Sequence, residues 1–139
     1  MQLVRFSLAV LATWLVFVIG GALWHEVIFD RWYDEWVHEI VRLEMPIGFF
    51  LLTHAMRALV LVYVYTMLYK GGSPIIKGLK FGFLMGMITG LVVTSYYGDF
   101  KISSPSWALM EFAYNIIRGL MAGALISLII GRRETEAEA

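Results

Sequence analysis

Seven residues place polar chemistry inside or beside long apolar runs: His25 and Glu26, His54 and Arg57, and Glu111, Asn115 and Arg118. An ionisable group in hydrocarbon costs about 2.5–3.5 kcal/mol on insertion scales, so each of these needs a partner or a task. His54 and Arg57 are spaced i, i+3, and Glu111, Asn115 and Arg118 are spaced i, i+4, i+7, so each set shares one face of a helix. Two guanidiniums, two carboxylates and two imidazoles admit four chemistries. They form a structural ion-pair network, hold a small anionic or carboxylate-bearing ligand between the two Arg, carry a proton or ion through His54, Glu111 and Glu26, or bind a metal or haem. The set is a ligand candidate in the second of these and a packing lock in the first.

Catalytic and metal signatures are missing from the sequence. The chain has no Cys, which removes thiolate ligands, iron–sulfur clusters and thiol nucleophiles. The His and Glu spacings match neither HExxH nor ExxH, and the Ser, His and acidic residues fall into no nucleophile elbow, triad order or paired-acid motif. The expectation is therefore no catalytic residue, no metal, no cofactor and no enzyme. Eleven basic and eleven acidic residues cancel, so no overall field draws nucleic acid.

The elements that position these residues are set by hydropathy. Of the 139 residues 60% are hydrophobic and 16% charged, too apolar for a soluble domain to cover its own surface. A single membrane domain over 1–131 is predicted, with spans at about 6–28, 46–69, 75–97 and 105–131 and a disordered cytoplasmic tail at 132–139. A cleaved signal peptide is the competing reading of the first span, but the apolar run Phe6 to Trp24 ends without a small-x-small site. Pro46, Pro74 and Pro105 sit at or before the first turn of three spans, where a missing N–H costs nothing. Short connections make spans two and three, and three and four, antiparallel neighbours.

Orientation follows from Lys and Arg. Arg5, Lys70, Lys77, Lys80, Arg132 and Arg133 collect on one side and Arg31, Arg42 and Lys101 on the other, which puts both termini in the cytoplasm of a bacterial inner membrane. Counted from Pro46 and Pro105, the residues from His54 to Arg118 then lie between about 9 and about 20 Å below the outer surface. The parallel fragments His54-Ala55-Met56-Arg57-Ala58-Leu59 and Asn115-Ile116-Ile117-Arg118-Gly119-Leu120 hint at two related halves.

Two further patterns concern packing. Gly78, Gly82, Gly86 and Gly90 recur every four residues in span three, and Gly119 and Gly123 continue a matching row from Asn115 in span four, a glycine-zipper pattern that allows close helix approach. Residues 29–44 form an amphipathic segment in which Phe29, Trp32, Tyr33, Trp36, Val37, Ile40 and Val41 share one face, with an acidic opposite face. That segment reads as an extracytoplasmic interfacial helix or a docking surface, with Trp32, Tyr33, Trp36 and Ile40 toward a partner.

The Phe6 to His25 run, the Gly71-Gly72-Ser73 turn, the Lys77-Gly78-Leu79-Lys80-Phe81-Gly82 start of span three and the Trp107 and Glu111 start of span four resemble uncharacterised families of small four-helix bacterial integral membrane proteins. The resemblance implies a four-span bundle and supplies no activity. The expected architecture is an all-α transmembrane four-helix bundle with an amphipathic helix between spans one and two. The expected role is a non-enzymatic accessory or structural subunit of a membrane complex, or a homo-oligomer, whose partners are the lipid bilayer and other membrane subunits or itself. The alternative is a small transporter or permeation protein that binds an anionic or ionisable ligand through the Arg/His/Glu cluster.

Overall fold

The computed structural model describes residues 2–31, 46–99 and 105–131, and every element in them is helical. Helix α1 (Gln2–Ala22) runs on without a break into a π-helical turn, Leu23–Ile28. No Pro or Gly interrupts that passage, and the Phe29 N–H closes it by donating to the Trp24 carbonyl at 3.1 Å. Helix α2 (Ile47–Leu68), α3 (Pro74–Asp99) and α4 (Pro105–Ile130) follow. Each opens at its proline, and in α2 the N–H groups of Phe49 and Phe50 both donate to the Pro46 carbonyl.

Leu3–Ile28, Ile47–Leu68, Pro74–Ser95 and Pro105–Ile130 are each long and apolar enough to cross a membrane, which marks an integral membrane protein. Large apolar side chains such as Leu8, Ile19, Leu52, Val60, Leu84 and Ile88 point outward, the arrangement a lipid solvent favours. Most of segment 29–44, including Trp32, Tyr33, Trp36 and Ile40, lies outside the described residues, as do 132–139.

Helix α4 is the central element: it packs against both α3 and α1, and α1 in turn packs against α2. The α3–α4 contact is the closest. A Cβ added at Gly82 would fall on the Gly119 carbonyl oxygen, one at Gly78 on the Gly123 carbonyl and the Ser127 hydroxyl, and one at Gly86 would lie 2.7 Å from the Asn115 carbonyl oxygen. Gly90 receives the Phe112 ring, whose edge would be 2.7 Å from an added Cβ. Between lipid-solvated helices no hydrophobic force draws backbones together, so dispersion contacts across a small-residue seam supply the attraction.

The α1 face is made by Ala9, Thr13, Phe17 and Gly21, a four-residue ridge buried along its length. It meets Ala58, Leu61, Val62 and Tyr65 of α2 and Ala122 and Ile126 of α4 in one core. The Trp14 indole N–H donates to the Leu51 carbonyl in α2 at 3.1 Å, which fixes the register of α1 on α2.

The short connection between α2 and α3 does not make them a pair packed along their lengths. They meet where Tyr65 touches Phe81 edge-on, with ring centroids 5.2 Å apart. The glycine face of α3 is already filled by α4, and the bulkier buried face of α2 fits α1. The turn itself requires positive φ at Gly71 (83°) and Gly72 (89°), and the Tyr69 hydroxyl closes it by donating to the Gly72 carbonyl at 2.9 Å.

Gly82→Ala and Gly119→Ala are each expected to destabilise the protein by about 1–3 kcal/mol through overpacking. Gly48→Ala, where nothing lies within 4 Å of the added methyl, should cost nothing. Denaturation in detergent followed by circular dichroism makes the comparison, and equal effects at all three positions would refute the seam as the source of α3–α4 stability.

Candidate functional site

Helix α4 supplies most of the polar set. Its i, i+3, i+4, i+7 spacing lines up Glu111, Tyr114, Asn115 and Arg118, all buried, with Asn115 only 2% and Arg118 7% exposed. The Asn115 amide is oriented from within its own helix, its Nδ2 donating to the Glu111 carbonyl at 2.7 Å. That leaves Oδ1 facing outward from the helix as an acceptor. Arg118 Nη2 donates to it at 2.6 Å, and Arg57 Nη2 reaches across from α2 to donate to the same atom at 3.5 Å.

Both guanidiniums lean on one ring. Their central carbons lie 5.3 Å (Arg57) and 5.1 Å (Arg118) from the Phe17 centroid, and Arg118 is also 4.7 Å from the Tyr114 centroid. Arg118 Nη1 donates to the Tyr114 hydroxyl at 3.5 Å. The negative face of an aromatic ring offsets part of a desolvated charge, about 0.5–2 kcal/mol per contact. Neither guanidinium hydrogen-bonds or ion-pairs with a carboxylate among the described residues.

The buried carboxylate goes elsewhere. Glu111 Oε1 lies 2.8 Å from His25 Nε2, and His25 Nδ1 donates to the Gly21 carbonyl at 2.9 Å. The π-helical turn carries His25 at the end of α1, and Trp24 beside it stacks on Tyr114 with centroids 5.0 Å apart. Gly21 makes room for this approach, because a Cβ there would sit 3.3 Å from the Tyr114 hydroxyl.

His54 is held within α2, its Nδ1 donating to the Phe50 carbonyl at 2.9 Å and its ring meeting Phe17 edge-on at 6.4 Å. Glu26 is exposed, and among the described residues it makes no hydrogen bond or ion pair with the cluster. Its position between His25 and the lipid-facing Val27 turns it off the buried face, so it does not serve as the second counter-charge that the sequence suggests. The remaining six sequence candidates come together around Phe17 and Tyr114.

Phe17 and Tyr114 are central to the cluster and were not singled out from sequence. Tyr114 carried a usable signal, since it stands three residues after Glu111 and four before Arg118 on the same helical face. Phe17 carried none, lying in a run of similar apolar residues. Two more donors, the buried indole N–H groups of Trp24 and Trp107, find no acceptor among the described residues. No group of three His, Asp or Glu that could hold a metal occurs among the described residues.

Asn115→Leu removes the acceptor shared by two guanidiniums and should destabilise the fold by about 3 kcal/mol, chiefly through the buried Arg118, since a buried charged donor left unpaired costs more than a neutral one. Phe17→Leu, which keeps the volume and loses the ring face, should cost about 1 kcal/mol. Chemical denaturation in micelles would read both, and a smaller loss for Asn115→Leu than for Phe17→Leu would overturn this ranking. No protein-family model, curated protein or solved structure matches this chain.

Proposed function

We propose that this is a non-enzymatic integral membrane protein that binds an oxyanion, a carboxylate or a phosphate, between Arg57 and Arg118. The observation that carries the reading is that a buried guanidinium, Arg118, and a half-buried one, Arg57, share one neutral acceptor, Asn115 Oδ1, and have no carboxylate among the described residues. A guanidinium offers five donors in a fixed fork, and most of those on Arg57 are unused by the protein. An arriving oxyanion would supply both the missing acceptors and the missing charge. The orphan indole N–H of Trp24, whose ring stacks on Tyr114, adds to the donor excess.

The accessory-subunit or homo-oligomer reading predicts that the two Arg are saturated by carboxylates and backbone carbonyls; their bonds among the described residues, to the Asn115 amide oxygen and the Tyr114 hydroxyl, favour the ligand reading. We place the four spans as one bundle in a bacterial inner membrane, termini in the cytoplasm and residues 29–44 outside. The Lys and Arg distribution supports that orientation, and the helix rise then sets the Arg pair near the middle of the bilayer.

The test is thermal stabilisation of the purified protein by benzoate and by inorganic phosphate, and by phosphatidylglycerol in nanodiscs otherwise made of phosphatidylcholine. A ligand at about 100 times its Kd adds about 2.7 kcal/mol. Stabilisation by the soluble ions marks a free solute, and by phosphatidylglycerol alone a lipid headgroup. Arg57→Gln should abolish the response, and Asn115→Asp, which builds a carboxylate between the two guanidiniums, should abolish it while keeping the fold. No response to any of the three probes would overturn the proposal.

A further inference from the structure

Among the described residues, three of the four boundaries around Arg57, Asn115 and Arg118 are closed by packing. Between α3 and α4 the backbones touch along the glycine seam. Between α1 and α2 the Trp14 indole bonds the Leu51 carbonyl and a shared core fills the contact. Between α1 and α4 the Trp24 ring stacks on Tyr114, and His25 Nε2 lies 2.8 Å from Glu111 Oε1. The fourth boundary, between α2 and α3, is held at one end, where Tyr65 meets Phe81 beside the connecting turn.

Exposure along the two ridges that start from this contact gives the shape of the opening. On α2 the four-residue series Tyr65, Leu61, Arg57 and Thr53 passes from buried through half-buried to exposed. On α3 Phe81, Met85, Ile88 and Val92, spaced i, i+4, i+7 and i+11, make the same passage away from the turn. Two ridges that lose their cover together from one fixed point bound a wedge-shaped cleft. Apart from Arg57 and Thr53 they are apolar, and the Thr53 hydroxyl already donates to the Phe50 carbonyl at 3.0 Å.

A cleft between two spans opens sideways, into hydrocarbon. A free ion would have to leave water before it reached Arg57, about 16 Å along α2 from Pro46. A ligand entering by this boundary is therefore one already dissolved in the bilayer. The guanidiniums that share Asn115 Oδ1 complement a negative headgroup. The exposed ridge at Ile88 and Val92 suits an acyl chain.

We propose that the α2–α3 cleft holds a phospholipid with an anionic headgroup, its phosphate at Arg57 and Arg118 and an acyl chain along Ile88 and Val92. The proposal rests on the Arg57–Arg118 reading above and narrows the ligand from any oxyanion to one carried by a membrane lipid.

The chain has no Cys, so Val92→Cys on the cleft wall and Phe83→Cys can each carry a single bimane label. Phe83 is exposed, and helical spacing turns it to the opposite side of α3 from Val92. The labelled protein is placed in vesicles of equal phosphatidylglycerol and phosphatidylcholine, with bromine on the acyl chains of one lipid at a time. Quenching at Val92→Cys should report a preference for phosphatidylglycerol of about fivefold or more in relative affinity, the value for one arginine beside an anionic lipid. The two lipids should quench alike at Phe83→Cys, and Arg57→Gln should remove the preference at Val92→Cys.

Equal quenching by both lipids at Val92→Cys, or the same preference at Phe83→Cys, overturns the cleft as the lipid's place. Where benzoate, phosphate or phosphatidylglycerol still stabilises the protein, the Arg site stands without it. A preference that survives Arg57→Gln assigns the lipid to another cation and also overturns the proposal. The contrast between the two labels is read with both arginines intact, so it remains decisive if Arg57→Gln fails to fold. No response to any of the three probes overturns the Arg site itself.

Discussion

One neutral amide oxygen, Asn115 Oδ1, is the point on which the polar interior turns. Inside hydrocarbon every donor must find an acceptor within the protein, because no water competes to supply one. Here two cations from different helices converge on a single uncharged atom. A neutral acceptor satisfies geometry without satisfying charge. The consequence is a site whose donors are positioned while its electrostatics remain unbalanced, a different state from a closed ion-pair lock.

That oxygen can sit where it does because of the opposite face of α4. The Gly82–Gly119 and Gly78–Gly123 contacts bring the α3 and α4 backbones into direct touch, and a helix so tightly held on one side presents a defined face on the other. The polar residues at 111, 114, 115 and 118 lie toward α1, where Phe17 and the π-helical turn receive them. The two halves of the pattern are interdependent. The small residues on α3 and α4 fix the helix axis, and the aromatic ring on α1 makes the charges tolerable once the axis is fixed.

The spans were legible because each is a long apolar run punctuated by proline, and the seam was legible because glycine at strict four-residue intervals serves few purposes in a membrane helix. The polar residues were legible as a set for the same reason that they are costly. Their pairing was not. Counting charges suggests that Glu111 and Glu26 neutralise Arg57 and Arg118, but the π-helical turn widens the end of α1 and delivers His25 to Glu111 while Glu26 faces out. A single extra residue per turn decides which side chain reaches, and no periodicity of residue types records it. Likewise the short α2–α3 turn predicts neighbours, and only the three-dimensional competition for the α3 glycine face shows why α2 settles on α1 instead.

The placement of the two arginines also explains how an unbalanced charge persists in an apolar solvent. Arg118 is 7% exposed and has Asn115, Tyr114 and the Phe17 ring around it, so its charge is spread over a polar oxygen, a hydroxyl and two aromatic faces. Arg57 has only a long bond to Asn115 and one face of Phe17, and it is half-buried. Of the two, Arg57 is thus the guanidinium with more of its surface outside the protein. On the proposed reading, an anion approaching from that side meets the half-buried guanidinium first and the buried one second. Such a site would need both arginines, and would need them to differ in burial as α2 and α4 make them differ.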